Sequence, residues 1–123
     1  MIHMPYDPGN IFAKILRGEI PCKKVSEDEF YLAFYDIQPL APIHVLVIPK
    51  SAYKDVYDFN QKAAPEEIIG FYKGINQVTQ LLNLNQDGFR LISNSGTYGG
   101  QEVPHYHIHL LGGEKLGAML PSS

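Results

Sequence analysis

The pattern of apolar and polar positions predicts one short helix near the start of the chain and one long helix in its middle. In residues 10–18 the apolar side chains fall on one side, Asn10 is a suitable N-cap, and Gly18 can end the helix. Residues 65–84 have apolar side chains at helical spacing, and Pro65 is typical of a first helical turn.

The other patterned segments are short and indicate strands. Residues 24–26 and 30–35 are separated by a short acidic stretch, which predicts a hairpin. Residues 43–48 are almost wholly apolar, as expected of a central strand covered on both faces. Two more strands are predicted at 89–93 and 106–111. Because the connections are too short for repeated parallel crossovers, we expect an α+β fold with an antiparallel sheet of about five strands.

Composition limits the class of protein. Hydrophobic residues make up 45% of the 123 residues and charged residues 19%, which excludes wholesale disorder. We expect one domain over residues 1–123, with 1–9 and 114–123 as flexible or variable tails. The absence of an apolar run of about 18 residues argues against a membrane partner. The net charge of −3, without charged blocks, argues against a nucleic-acid partner. One cysteine, Cys22, and no secretion signal favour a cytoplasmic location.

Three histidines at alternate positions are the sharpest chemical feature. On a strand His105, His107 and His109 project from one face, and the apolar residues between them point to the core. This spacing alone leaves three interpretations open: a metal site, phosphoryl or acyl transfer, or a half-buried strand whose histidines are simply hydrogen-bonded.

The segment before the histidines favours phosphoryl chemistry. Residues 94–101 are rich in glycine and include Asn94 and Gln101. Glycines let main-chain N–H groups approach an anion, and side-chain amides can donate to phosphate oxygens. A metal site has no need of such a loop, although the loop alone is also typical of an ordinary turn.

These segments together resemble a known family. Residues 105–111 and the flanking glycines look like the signature of the histidine-triad (HIT) family. Residues 10–21 resemble the amino-terminal segment of its Hint branch, and residues 34–39 and 41–50 resemble the middle of that branch. The resemblance covers roughly residues 10 to 113.

The resemblance implies a hydrolase that cleaves the P–N bond of purine nucleoside 5′-phosphoramidates, such as adenosine monophosphoramidate, and also cleaves aminoacyl adenylates. It implies that His107 is the nucleophile and forms a nucleotidyl-histidine, that His105 and His44 orient it, and that His109 faces the phosphate and the leaving group. It implies no cofactor and no metal. This chain has His109 at the third triad position, where the nucleotidyl-transferase branch has glutamine. The histidine favours hydrolysis over transfer.

The resemblance also implies a purine nucleotide site. Asp36 matches the residue that binds both ribose hydroxyls, although it is also a common turn former. Five residues match the apolar lining of the base pocket, although they would suit any core: Phe12, Ile15, Ile20, Phe34 and Ile37. Four match the phosphate side of the site: Asn94, Gly100, Gln101 and Val103.

The chain departs from the family at two places. Ala52 lies in the segment after Pro49 and Lys50 where many relatives have a further histidine, and Glu102 replaces a serine that assists the leaving group in some relatives. A different leaving-group preference is therefore expected. Two alternative functions remain open: a nucleotide-binding regulatory or scaffold module with weak turnover, and a zinc-binding protein that uses the histidine cluster.

We also predict a homodimer. The apolar stripe of the long helix is wide enough for two partners, and Gly70 and Gly74 allow the close approach of a neighbouring element. The resemblance implies the same two-fold association, with the sheet continuing across it.

Overall fold

The computed structural model describes residues 5–120 and has three helices and five strands within them. In chain order they are α1 (Ile11–Leu16), β1 (Lys24–Glu27), β2 (Tyr31–Tyr35), β3 (Ile43–Pro49), α2 (Val56–Lys62), α3 (Pro65–Leu81), β4 (Arg90–Ile92) and β5 (Ile108–Gly112).

The strands form one antiparallel sheet in the order β1-β2-β3-β5-β4, which confirms the predicted fold class. The central strand is β3, and six of its seven residues are buried. Helix α2 is an addition to the one short and one long helix expected from the sequence. It begins after Asp55, whose side chain accepts a hydrogen bond from the backbone N–H of Asp58. None of the helices within residues 5–120 is both long and apolar enough to cross a bilayer.

The sheet separates two apolar clusters. The larger one packs α2 and α3 against one face and includes Val45 and Val47 of β3 with Tyr106, Ile108 and Leu110. The smaller one packs α1 against the other face, where Phe12 meets residues of β2 and β3: Leu32, Phe34, Leu46 and Ile48. The histidines lie opposite Tyr106, Ile108 and Leu110, as the alternation of strand residues predicts. The structure adds that α1 covers this face, where the Phe12 ring packs against the rings of His105 and His107.

Helix α1 has the predicted ends. The Asn10 side chain accepts from the N–H of Ala13 at 2.9 Å and donates to the carbonyl of Asp7 at 2.7 Å. Gly18 has a φ of +77°, and the N–H groups of Gly18 and Glu19 donate to the carbonyls of Ile15 and Lys14. These contacts fix α1, and with it Phe12, over the histidine face of the sheet.

The two glycines of α3 face their own chain. A Cβ atom on Gly70 would lie 2.3 Å from the Phe30 ring, and one on Gly74 would lie 2.3 Å from the Tyr31 ring. The close neighbour expected from the sequence is therefore the β1–β2 hairpin. The glycines give no support to a second copy of the chain, and the homodimer stays a prediction.

Several predicted ends differ from the structure by one to three residues. Strand β5 begins at Ile108 and not at residue 106, because the N–H of Tyr106 donates to the carbonyl of Tyr53 and the His105 carbonyl accepts from a side chain. Helix α3 ends at Leu81 because Asn83 adopts a left-handed φ of +58°.

Candidate active site

A cleft of about 340 Å³ opens on the α1 side of the sheet. It brings together eight of the residues expected at the site from the sequence: Phe12, Asp36, His44, Asn94, Gly100, Val103, His107 and His109. Four further residues also line it: Gln38, Leu40, Leu46 and Glu102. The site is thus formed by α1, the loop after β2, strand β3, and the loop and strand that carry the histidines.

His107 is held as one defined tautomer. Its Nδ1 lies 2.7 Å from the main-chain carbonyl of His105, and a carbonyl can only accept, so Nδ1 carries the proton. Burial lowers the pKa of His107, which keeps the ring neutral near pH 7. Phe12 packs edge-on against the ring, with centroids 5.0 Å apart. The lone pair is therefore on Nε2, the arrangement that a nucleophilic imidazole requires.

His105 is fully buried and does not line the cleft. Its Nε2 donates to the carbonyl of Pro49 at 3.0 Å, and its Nδ1 accepts from the hydroxyl of Tyr6 at 2.7 Å. Burial lowers the pKa of His105 to about 4. The ring has no nitrogen left for a substrate, so its contact with His107 is through the main-chain carbonyl.

His44 and His109 form a hydrogen-bonded chain with a fixed direction. The N–H of Leu40 donates to His44 Nδ1 at 3.1 Å, so the neutral His44 ring carries its proton on Nε2. That nitrogen lies 2.9 Å from His109 Nδ1, to which it donates. Burial lowers the pKa of both rings, and for His109 it does so to about 4 with help from His107 and His44. The proton of neutral His109 is therefore on Nε2, and His109 lines the cleft.

Asp36 uses its two carboxylate oxygens differently. Its Oδ1 accepts from the N–H of Gln38 at 2.8 Å and forms a tight turn. Its Oδ2 lies 3.5 Å from His44 Nε2 at the side of the cleft. Asp36 therefore shapes the loop and also presents an oxygen to the cleft.

The expected base pocket is only partly assembled. Phe12 lines the cleft, and Phe34 lies buried behind it with ring centroids 5.5 Å apart. Ile15 packs in the same apolar cluster but lines a separate hollow, and Ile20 is half-buried outside the cleft. Ile37 is 90% exposed and points away from this cluster into solvent.

Gln101 has its amide fully engaged within the loop. Its Nε2 donates to the carbonyls of Lys54 and Val103, at 2.6 and 3.0 Å, and its Oε1 accepts from the N–H of Gly96 at 3.0 Å. A Cβ atom on Gly99 would lie 2.4 Å from the carbonyl oxygen of Ser95, so only glycine fits there. The structure thus places Gln101 as the clamp of the glycine-rich loop, with Asn94 and Gly100 at the cleft.

Sequence patterns missed three partners of the histidines: the Tyr6 hydroxyl, the Leu40 N–H and the Pro49 carbonyl. Two of these are main-chain groups. Every residue has a main-chain carbonyl, and every residue except proline has a main-chain N–H, so the sequence does not mark the ones that bond to histidines. Tyr6 lies before the first helix and outside any periodic segment. Next to Ala52, where the chain departs from the family, Tyr53 packs in the larger apolar cluster, and its hydroxyl donates to Glu67.

A metal ion would find ligands in only one group of side chains within residues 5–120. Asp36, His44 and His109 offer ligand atoms within 4.8 Å of one another. Two of these atoms, His44 Nε2 and His109 Nδ1, are already bonded to each other. The three alternate histidines do not converge, because both ring nitrogens of His105 are engaged elsewhere.

Comparison with known proteins gives consistent matches along most of the chain. The family described as HIT domain matches residues 17–116. An uncharacterised 13.2 kDa HIT-like protein of Azospirillum brasilense is 52% identical over 115 residues, which are 94% of each chain. A purine nucleoside phosphoramidase of Escherichia coli is 43% identical over 111 residues, which are 89% of this chain and 92% of that protein.

Solved structures agree with these matches. A HIT family hydrolase from Clostridium thermocellum has a TM-score of 0.83 at 39% identity and covers 92% of this chain and 97% of its own. A histidine triad nucleotide-binding protein from Candida albicans has a TM-score of 0.80 at 30% identity and covers 94% of this chain and 85% of its own.

Proposed function

Because the chain belongs to the HIT domain family, we propose that it is a nucleotide hydrolase that cleaves the P–N bond of purine nucleoside 5′-phosphoramidates. The observation that carries this proposal is the fixed tautomer of His107, whose Nδ1 donates to the His105 carbonyl. The name of the Escherichia coli relative, 43% identical, supports this choice of substrate. Aminoacyl adenylates are proposed as a second substrate class, with the same nucleotide part.

The first step forms a nucleotidyl-histidine. The Nε2 lone pair of His107 attacks phosphorus, and the P–N bond of the substrate breaks with its electron pair on the departing nitrogen. The substrate reacts with an extra proton on that nitrogen, so the nitrogen leaves as a neutral amine. His109 keeps its Nε2 proton and donates a hydrogen bond from it toward the phosphate and the leaving group, with its ring centroid 5.0 Å from that of His107.

The second step restores the enzyme. Water attacks phosphorus and releases one proton to solvent, and the bond between phosphorus and Nε2 breaks with its electron pair returning to His107. The product is a nucleoside 5′-monophosphate. We assign the side chain of Asn94 and the backbone around Val103, both at the lining of the cleft, to the phosphoryl oxygens. The N–H groups of Gly100 and Gln101 already donate to carbonyls within the loop.

Substrate contacts follow from the lining of the cleft. We assign Oδ2 of Asp36, which lies 3.5 Å from His44 Nε2 at the side of the cleft, to the ribose hydroxyls. Phe12 is assigned to the base and Glu102 to the side of the leaving group. The base would contact Ile37, Ile20 and Ile15 only in a nucleotide that extends over the rim of the cleft. No metal or cofactor is needed for these steps.

We propose a homodimer and a cytoplasmic location for a single domain of residues 1–123. Strand β4 lies at the edge of the sheet, with Phe89 40% and Leu91 43% exposed, and an edge strand of this kind can pair with a second copy. The tail proposed for residues 1–9 is in contact with the domain in its described part, through Tyr6 and Asp7.

The test of the function uses His107→Ala and a chromogenic or fluorogenic adenosine phosphoramidate. We expect the native protein to turn over and the variant to lose turnover while it retains most of its affinity for AMP, because ribose and base contacts lie elsewhere. That retained affinity also shows that the variant is folded. A native sample quenched in alkali should contain a nucleotidyl adduct, and the variant should contain none.

Three outcomes contradict the proposal. Near-native turnover by His107→Ala would show that His107 is not the nucleophile. Activity lost with a chelator and restored by zinc assigns Asp36, His44 and His109 to a metal ion. AMP binding by the native protein without turnover of any phosphoramidate or adenylate leaves a nucleotide-binding module.

A further inference from the structure

His105 is bonded at three points. Its ring donates from Nε2 to the Pro49 carbonyl at the end of β3, and its Nδ1 accepts from the Tyr6 hydroxyl. Its main-chain carbonyl accepts from His107 Nδ1. Because the proton of the neutral ring is needed on Nε2, the Tyr6 hydroxyl must be the donor at Nδ1. His105 thus links the hydroxyl of Tyr6, which is 99 positions away in the chain, to the ring of His107, which holds the nucleophilic lone pair.

The side chain of Tyr6 is held in place by its surroundings. The segment that carries it is bonded to α1, since Asn10 Nδ2 donates to the Asp7 carbonyl and Arg17 donates to the Pro8 carbonyl at 2.8 Å. The Tyr6 ring meets the His105 ring edge-on, with centroids 5.7 Å apart. The phenol therefore reaches a fully buried imidazole although Tyr6 is only half-buried and its neighbours, residues 5 and 7–9, are exposed.

Loss of this hydroxyl leaves Nδ1 of His105 as a buried acceptor without a partner. The ring can then change its tautomer or rotate, and either change breaks its bond to the Pro49 carbonyl. The native arrangement now leaves a nitrogen unpaired as well, so it loses its advantage, and we expect the His105 ring to sample more than one arrangement. We expect the His105 carbonyl to shift with the ring, and this carbonyl fixes the proton of His107 on Nδ1.

We propose that Tyr6 is a positioning residue that keeps His107 in the nucleophilic tautomer through its hydrogen bond to His105. The inference rests on the proposed function for its kinetic consequence but not for its structural one. Tyr6 does not line the cleft, so it has no contact with a substrate there. Its removal should lower kcat and leave KM unchanged.

The experiment compares Tyr6→Phe with Tyr72→Phe. The control also removes one phenol hydroxyl, which lies 3.0 Å from the Tyr106 hydroxyl on the opposite face of the sheet. For Tyr6→Phe we expect kcat to fall about tenfold, the effect of one lost hydrogen bond, with KM within about twofold of native. Imidazole ¹⁵N spectra should show His107 protonated on Nδ1 in the native protein and a mixture of tautomers in Tyr6→Phe. Tyr72→Phe should match the native protein in both measurements.

The outcomes separate this inference from the proposed function. If Tyr6→Phe keeps the native kcat and the native His107 spectrum, the inference is overturned. This holds even when the melting temperature of Tyr6→Phe falls as much as that of Tyr72→Phe, because the Tyr6 hydroxyl then contributes only to stability. If the native protein hydrolyses no substrate, the proposed function fails, and the ¹⁵N spectra alone still decide whether Tyr6 sets the tautomer.

Discussion

Asp36→Asn separates the two tasks of the Asp36 carboxylate. Asparagine retains an oxygen at Oδ1 for the N–H of Gln38, so the turn after β2 should remain. At the Oδ2 position it replaces a charged acceptor by an amide donor. The change also removes a negative charge that raises the pKa of His44 and His109, and since both are already lowered by burial, both rings stay neutral.

The magnitude follows from the number of ribose hydroxyls that the carboxylate can accept from. A hydrogen bond to a charged group contributes about 1.5–3 kcal/mol, which is about tenfold to a hundredfold in affinity. AMP offers two hydroxyls and 2′-deoxy-AMP only one. We therefore expect native protein to bind AMP tighter by a factor in that range, and we expect Asp36→Asn or Asp36→Ala to lose most of this discrimination.

Calorimetric titration with the two nucleotides measures this ratio directly. Asp28→Asn is the matched control, since Asp28 Oδ1 accepts from the N–H of Phe30 at 2.7 Å in a similar turn of the hairpin, outside the cleft lining. The control should keep the native ratio. Equal losses of both nucleotides in Asp36→Asn would refute the reasoning and leave Asp36 as a residue that only shapes the loop.

Two further predictions concern stability. The unfolded His105 ring binds a proton below about pH 6.5 and the folded ring only below about 4. About 3 kcal/mol of stability from His105, present above pH 6.5, is therefore lost as the pH falls to 4, and the lowered pKa values of His44, His107 and His109 add losses of the same sign. Urea unfolding at a series of pH values measures the total, and a flat profile contradicts it. Gly74→Ala and Gly70→Ala should each destabilise the fold by about 2 kcal/mol or more. A Cβ on Gly74 would lie 2.3 Å from the fully buried Tyr31 ring, and one on Gly70 would lie 2.3 Å from the Phe30 ring and 2.9 Å from Phe30 Cβ, which rotation of the ring cannot move. Thermal unfolding measures both variants, and native stability in either would contradict the packing argument.

The fold could be predicted from the sequence because strand alternation and helix periodicity are properties of the side chains themselves. The alternation in residues 105–110 already separates a histidine face from an apolar face, and the structure places these faces on opposite sides of the sheet. Helix α2 was missed because it spans only seven residues, too few to show a clear period. Its one signal is the capping position of Asp55.

The hydrogen bonding of the site could not be predicted in the same way. The Leu40 N–H and the Pro49 carbonyl have no side-chain signature, and only the folded backbone brings them to the histidines. Gln101 was expected to contact phosphate because an amide can donate to it. In the folded loop the side-chain amide of Gln101 is instead hydrogen-bonded to main-chain groups.

The two main-chain contacts give the site a polarity that its side chains cannot reverse. An amide N–H never accepts and a carbonyl never donates, so His44 receives from Leu40 and His107 gives to His105 whatever the rotamers around them. In evolutionary terms, a replacement of the Leu40 side chain keeps this contact, since the contact uses only the main-chain amide, and proline is the exception. The division between the ring that attacks and the ring that donates a hydrogen bond is therefore inherited with the path of the backbone, and substitutions that preserve this path preserve the division as well.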